Sequence, residues 1–356
     1  MNTANLRTVF PAPHGDIEIG DGLPTYLIAE IGLNHNGSEE LAKEMVHAAA
    51  LSGANFVKFQ KRSPADLATA AFLDAPFEKS PALGRTQREV RERLELSKEV
   101  YGRLKKYAES LGLIFFSSVF DIPSLEFMLD IGVKIIKLPS HSITNEPLLK
   151  RLADKKIPVI ASLGGASPLE RDKAVDILKK NPIVLLHCVS SYPTPDSMTN
   201  LDTIAYYRDR YKVPVGFSSH ETGIDISVAA SVLGACMIER HFTINRAMVG
   251  MDQMISLEPH EFSEMALKVR RLRATRGISM DIHEGEKAAK HAYHVAVCTV
   301  KSIKAGTKLT HAMLVCKQPL IDPARFFTGM EIELVVGKKL TVNLPPDTAI
   351  PRNLLK

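Results

Sequence analysis

"VPVGFSSHETG" (residues 213–223) and "ACMIERHFT" (residues 235–243) are short apolar runs separated by a helical stretch, "DISVAASVLGA". Each run delivers a histidine at its carboxyl end, His220 and His241, and the second also delivers Glu239 and Arg240. A buried strand does not finish on ionisable residues unless something polar waits there. Continuous apolar strands joined through a helix form the unit of a parallel sheet buried on both faces.

Six further runs of this kind precede the pair. They are "TYLIAEIG" (25–32), "NFVKFQ" (55–60), "LIFFSSVF" (113–120), "KIIKLPS" (134–140), "IPVIASLG" (157–164) and "PIVLLHCVS" (182–190). Helical patterns lie between them. "SEELAKEMVHAAALSG" stops at Gly53, "SKEVYGRLKKYAESLG" starts on Ser97 as N-cap, and "SPLERDKAVDILKKN" carries a capping box from Ser167 to Glu170. Eight strand–helix units in about 250 residues predict a closed (β/α)8 TIM barrel. A doubly wound open sheet is the competing α/β arrangement, but no Gly-rich dinucleotide fingerprint follows the first strand. One connection, from Lys61 to about Leu96, is too long for an idle loop and is expected to cover a site.

After Gly277 the texture changes. The expected organisation is a barrel over 1–280, a polar, His-rich linker over 281–294, and a small β-rich domain over 295–356. The linker-side histidines His283, His291, His294 and His311 lack ligand spacing and read as solvated residues.

The chain has 356 residues, 45% hydrophobic and 24% charged, with a net charge of +5. That composition suits a soluble globular protein, and the amino-terminal stretch lacks the features of a signal peptide. A cytoplasmic location with no membrane partner is expected. The positive residues are scattered and tryptophan is absent, so a nucleic-acid partner is not expected. Cys188, Cys236, Cys298 and Cys316 form no CxxC pair and read as reduced thiols.

In a (β/α)8 barrel the site lies at the carboxyl ends of the strands. Those ends deliver Glu30; Lys58 and Gln60; Ser118; Lys137 and Ser140; Ser162 with the glycines of "LGGAS"; Ser190 and Tyr192; Ser218 and His220; then Glu239 and His241. Two imidazoles on neighbouring strand ends suit a divalent transition metal with open positions. A single such histidine would more often cap a loop or bond a backbone carbonyl; His35 and His187 have weaker claims as ligands, since nothing in the sequence pairs them. Lys58 and Lys137, inside strands, need anions: Glu30 and Glu239, or an anionic substrate. The serines and glycines would complete a cradle for phosphate and carboxylate.

"IAEIGLNHNGS", "GANFVKFQK", "ERLELS", "LLHCVSSYPTP", "VPVGFSSHETGI", "VLGACMIERHFT" and "MDQMISLEPHEF" resemble, in order, the motifs of the N-acetylneuraminate (sialic acid) synthase family. The tail "SIKAGTKLTHAMLVCKQP…VVGKKL" resembles its C-terminal SAF, or antifreeze-like, domain. The resemblance spans almost the whole chain. It implies a transferase that condenses phosphoenolpyruvate with N-acetylmannosamine or a related amino sugar, giving a nine-carbon 2-keto acid and phosphate. It implies a divalent metal, manganese or alternatively magnesium or cobalt, on His220 and His241. By position, Lys58, Ser118, Lys137, Ser140, Ser162, Ser190 and Ser218 match residues that hold phosphoenolpyruvate. Glu30, Gln60, Tyr192 and Asp252 match positions near the sugar or reacting centre. It further implies a domain-swapped homodimer.

The chain also departs from that pattern. His141 and Ser142 of "SHSITN" (140–145) stand where relatives carry an acid, and Ser219 stands where many have Asp. Gln318 stands where relatives present an arginine, for which Arg325 is a candidate substitute. These sugar-side changes suggest a different acceptor, such as a diamino sugar leading to legionaminic- or pseudaminic-type acids. A metal-dependent barrel aldolase without phosphoenolpyruvate, and a binding protein using the barrel as scaffold, are the competing functional readings.

Overall fold

The computed structural model describes residues 5–78, 80–319 and 325–356. It divides into two units, residues 1–276 and 277–356.

The first unit opens with an antiparallel hairpin, β1 (Arg7–Phe10) and β2 (Ile17–Gly20). Its Phe10 and Ile19 are fully buried in the main core, and its loop packs beside the amino ends of the third and fourth barrel strands. The barrel follows: β3 (Tyr26–Gly32), β4 (Phe56–Lys61), β5 (Ile114–Val119), β6 (Ile136–Leu138), β7 (Val159–Ser162), β8 (Ile183–Cys188), β9 (Val215–Ser219) and β10 (Met237–His241). These strands are parallel and close in sequence order, β10 pairing with β3 through His241 and Glu30. The expected TIM barrel is the observed one, with strand ends within a residue or two of the apolar runs. A short segment such as "KIIKLPS" overruns its strand because Pro139 cannot donate to the ladder.

The helices alternate with the strands. They are α1 (Glu39–Leu51), then α2 (Pro64–Leu67), α3 (Ala70–Leu73) and α4 (Gln87–Leu94) in the long connection, then α5 (Lys98–Ser110) and α6 (Ile122–Asp130). α7 (Glu146–Lys155), α8 (Pro168–Leu178), α9 (Thr203–Tyr211), α10 (Asp225–Val232) and α11 (Pro259–Arg273) complete the ring. Local chemistry sets their ends. The Ser97 hydroxyl accepts from the Val100 N–H at the start of α5, and α8 carries both bonds of the Ser167–Glu170 capping box.

The second unit has its own small core, including Val297, Leu309, Val335, Leu340 and Ile350. Its regular strands are few: β11 (Ala296–Thr299) pairs antiparallel with β12 (Leu314–Lys317), and isolated bridges and short turns tie down the rest. Residues 281–294, expected as a plain linker, carry helix α12 (Glu284–Tyr293). Glu284 and Glu286 in its first turn and Lys290 and His291 in its last complement the helix dipole. Among the described residues no helix is long and apolar enough to cross a membrane, and all four cysteines are free.

Candidate active site

The triplet Glu239–Arg240–His241 is explained by the alternation of strand side chains. Arg240 points out of the barrel. Its guanidinium donates to Glu221 Oε1 at 2.5 Å, to the Gly223 carbonyl and to Ser227 Oγ, and both ion-pair side chains are fully buried. Glu239 and His241 point inward, where the strand ends surround a cavity of about 690 Å³.

Lys58 is buried in the lining of that cavity. It donates to Ser118 Oγ at 2.9 Å and lies 3.1 Å from Glu30 and 3.2 Å from Glu239. Burial opposes its charge, but Glu239 and Glu30 together hold the ammonium above its ordinary pKa. Lys137 donates to Ser162 Oγ at 2.6 Å and approaches Glu239 at 3.8 Å. Burial prevails there and pushes its pKa down to about 8, against the pull of Glu239. The two carboxylates diverge. Glu239 resists burial because Lys137 and Lys58 flank it and Ser218 donates to it, so it stays well below the carboxylate norm. Burial raises Glu30, only partly offset by Lys58, and Gln60 Nε2 donates to it at 2.7 Å. Gly32 permits this packing: its φ is +56°, and a Cβ there would lie 3.1 Å from Gln60 and 3.2 Å from Glu30.

His220 and His241 line the same cavity with ring centroids 5.5 Å apart. His220 Nδ1 donates to the Val189 carbonyl at 3.0 Å, which leaves the Nε2 lone pair free. Burial, then the neighbouring His241, depresses the His220 pKa to about 3, so the ring is neutral. His241 Nδ1 is buried without a hydrogen-bond partner. The neutral His220 ring and the orphaned His241 nitrogen fit a divalent metal. Among the described residues no third His, Cys, Asp or Glu joins them in a metal-binding group. An ion held here would therefore keep open positions for oxygen ligands.

Just past the end of β7 the backbone forms a cradle. A Cβ on Gly164 would come within 2.8 Å of both Ser140 Oγ and Ser190 Oγ and 3.0 Å of the Cys188 carbonyl. Tyr192 stacks on His220 with ring centroids 4.0 Å apart, and Asp252 lines the mouth. Glu30, Lys58, Gln60, Ser118, Lys137, Ser140, Ser162, Tyr192, Ser218, His220, His241 and Asp252 thus all face one cavity. Ser190 does not line it; its Oγ lies beside the position a Gly164 Cβ would take. His35 and His187 lie elsewhere: His35 accepts from the Gly37 N–H, and His187 meets the Thr199 carbonyl at 2.6 Å. The Asn34 side chain donates to the Phe242 carbonyl and Ser256, so the "GLNHNGS" loop is a structural tie.

The strand-end reading delivered Glu239 but gave it no role beyond partnering a lysine; it lies within reach of both Lys58 and Lys137. Arg62, Arg91 and His141 also line the wall. Arg91 comes from α4, in the long connection expected to cover a site, and α2–α4 supply Leu67, Phe72, Val90 and Leu94 to that wall. In the second unit, Gln318 donates to the Tyr293 carbonyl, and Arg325 is exposed.

A (β/α)8 barrel with this inventory, followed by a small SAF-type unit, defines a condensing enzyme of the sialic acid synthase class. The chain belongs to the NeuB family, whose model matches residues 45–280, while the SAF domain model matches residues 294–356. It is 35% identical to N,N'-diacetyllegionaminic acid synthase of Campylobacter jejuni, covering 92% of this chain and 98% of that protein. It is 34% identical to N-acetylneuraminate-9-phosphate synthase of Homo sapiens, covering 95% and 94% respectively. The crystal structure of N-acetylneuraminic acid (sialic acid) synthetase from Leptospira borgpetersenii, in complex with citrate, is similar at 34% identity. Its TM-score is 0.70, over 81% of this chain and 96% of that one.

Proposed function

We propose that this chain is a nonulosonic acid synthase: it joins phosphoenolpyruvate to an N-acetylated amino sugar, with water, and releases a nine-carbon 2-keto acid and phosphate. The observation that carries the reading is the pairing, in one cavity, of the two buried lysines and their serines with the two buried imidazoles.

In this reading Ser140 and the Lys137–Ser162 pair hold the phosphate and carboxylate. Lys58, with Lys137, neutralises the phosphate and carboxylate charge, in a desolvated site where that is worth most. His220 and His241 hold a divalent ion, manganese by resemblance, which supplies Lewis-acid polarisation of the sugar carbonyl when bound. The C3 carbon of phosphoenolpyruvate forms the bond to the sugar's aldehyde carbon. Water adds at C2, and the C2–O bond to phosphate breaks. Glu30, whose pKa burial raises, lies beside Gln60 and is placed for proton transfer with the sugar oxygen. Tyr192 and Asp252 border the acceptor.

The test is phosphate release from phosphoenolpyruvate with manganese against a panel of amino sugars, with a chelated control. Sugar- and metal-dependent release supports the reading. Metal binding without release for any sugar favours a barrel aldolase instead.

A further inference from the structure

His220 and His241 come from neighbouring strands, yet the β9–β10 ladder stops short of His220. Its register runs from Ile238 opposite Phe217 to Arg240 opposite Ser219. Beyond that point the two histidines are tied away from one another. His241 sits opposite Glu30 of β3, and its carbonyl accepts from the Leu257 N–H at 2.8 Å. The His220 carbonyl accepts from the Thr194 N–H at 3.0 Å, and its ring meets the Val189 carbonyl, both in the β8–α9 connection. Arg240 spans the gap from outside the barrel. It precedes His241 in the chain and grips the segment that follows His220. Nη2 donates to the Glu221 carbonyl at 2.8 Å, and Nη1 donates to the Gly223 carbonyl at 2.7 Å and to Glu221 Oε1 at 2.5 Å. Ser227 of α10 closes the ring, donating to Glu221 Oε1 at 2.6 Å and accepting from Nη1 at 3.0 Å.

Stability alone is a weak reason for such a network. Arg240 Nε and Glu221 Oε2 are buried without hydrogen-bond partners, and a well-packed apolar pair of similar volume commonly serves a fold as well or better. What a planar charged fork bonded to Glu221, Gly223 and Ser227 supplies is a fixed geometry. The backbone it fixes carries both imidazoles that face the cavity. Two ligand side chains held at their separation before an ion arrives bind it more tightly than two that the ion must order. We propose that Arg240 and Glu221 are positioning residues: from behind the strands they set the spacing of His220 and His241, and with it the affinity of the pair for a divalent ion. The proposal rests on the two-histidine metal reading above.

The test is calorimetric titration of the full chain with manganese alone, paired with electron paramagnetic resonance of the free and bound ion. Arg240→Lys keeps the charge but not the fork, and Ser227→Ala removes the bridging hydroxyl at smaller risk to folding. Manganese binding should weaken on the order of 10- to 100-fold in Arg240→Lys and by less in Ser227→Ala, with kcat recovering towards the wild-type value as manganese is raised. Should Arg240→Lys fail to fold, Ser227→Ala decides. Ser167→Ala, a lost helix cap outside this network, controls for stability, and its manganese affinity should match the wild type. Wild-type manganese affinity in the folded variants, or the same weakening in Ser167→Ala, overturns the clamp while the metal reading stands. A wild type that binds no manganese, or binding undiminished in His220→Ala, strikes the metal reading and the clamp with it.

Discussion

Lys137 couples the chemistry of single residues to pH. Its ammonium is buried, and its pKa is down to about 8. As pH rises through that value the charge is lost in the native protein, so anion binding weakens on the alkaline side. We expect kcat/KM for phosphoenolpyruvate, which reports the free enzyme, to fall above about pH 8. In Lys137→Arg, whose charge does not titrate there, that limb should vanish from a lower plateau; an unchanged limb would assign it to another group. Glu30→Gln should lower kcat by about 10²- to 10⁴-fold while leaving manganese binding, read by calorimetry, intact. The Arg240–Glu221 pair makes a different contribution. Removing one partner strands a buried charge, so Glu221→Gln should cost about 3–5 kcal/mol in urea unfolding. Alternation along β10 made the inward aim of Glu239 and His241 legible from the sequence. What faced Arg240 was not legible, because Glu221 lies past the end of β9 and its direction depends on the turn. Arg62 and Arg91 stayed hidden for a similar reason: irregular segments carry no periodicity from which a facing can be read.

Among the elements, strands were the most legible. All eight are buried on both faces, so their apolar runs are continuous and bounded by helix-capping residues. Capping predicts its own cost: Ser167→Ala should destabilise by about 1 kcal/mol in chemical unfolding, with activity retained. The β3–α1 loop supplies a pH-dependent term through His35. Burial lowers its pKa to about 4, whereas an unfolded imidazole titrates near 6.5. Between those values the unfolded chain binds the proton and the native protein does not. Stability therefore falls as pH drops from about 6.5 to about 4, by about 3 kcal/mol from this group. Unfolding free energies of the wild type and His35→Asn across that window should converge toward acid; parallel curves would contradict the assignment. Helix α12 was obscured by its polarity, because no apolar stripe marks it. The order of its charges, acids first and bases last, was the available signal.

At the scale of the whole molecule, two units with separate cores divide the work visible in the structure. The eightfold strand repeat made the barrel legible, since no smaller set of strands closes it. The second unit was legible as a change of texture, but its few regular strands were not, because turns and isolated bridges hold most of it. The synthase reading carries with it a homodimer, so light scattering should give a mass of twice 39.2 kDa; a monomer active at nanomolar concentration would remove the dimer from the account. The central claim is carbon–carbon bond formation between phosphoenolpyruvate and an amino sugar. Mass spectrometry of the product, alongside phosphate counting, tests it most directly. The account predicts one 2-keto acid per phosphate, with the mass of sugar plus phosphoenolpyruvate plus water minus phosphoric acid. Phosphate released with pyruvate and unchanged sugar, or no reaction with any amino sugar, phosphorylated or not, would contradict it.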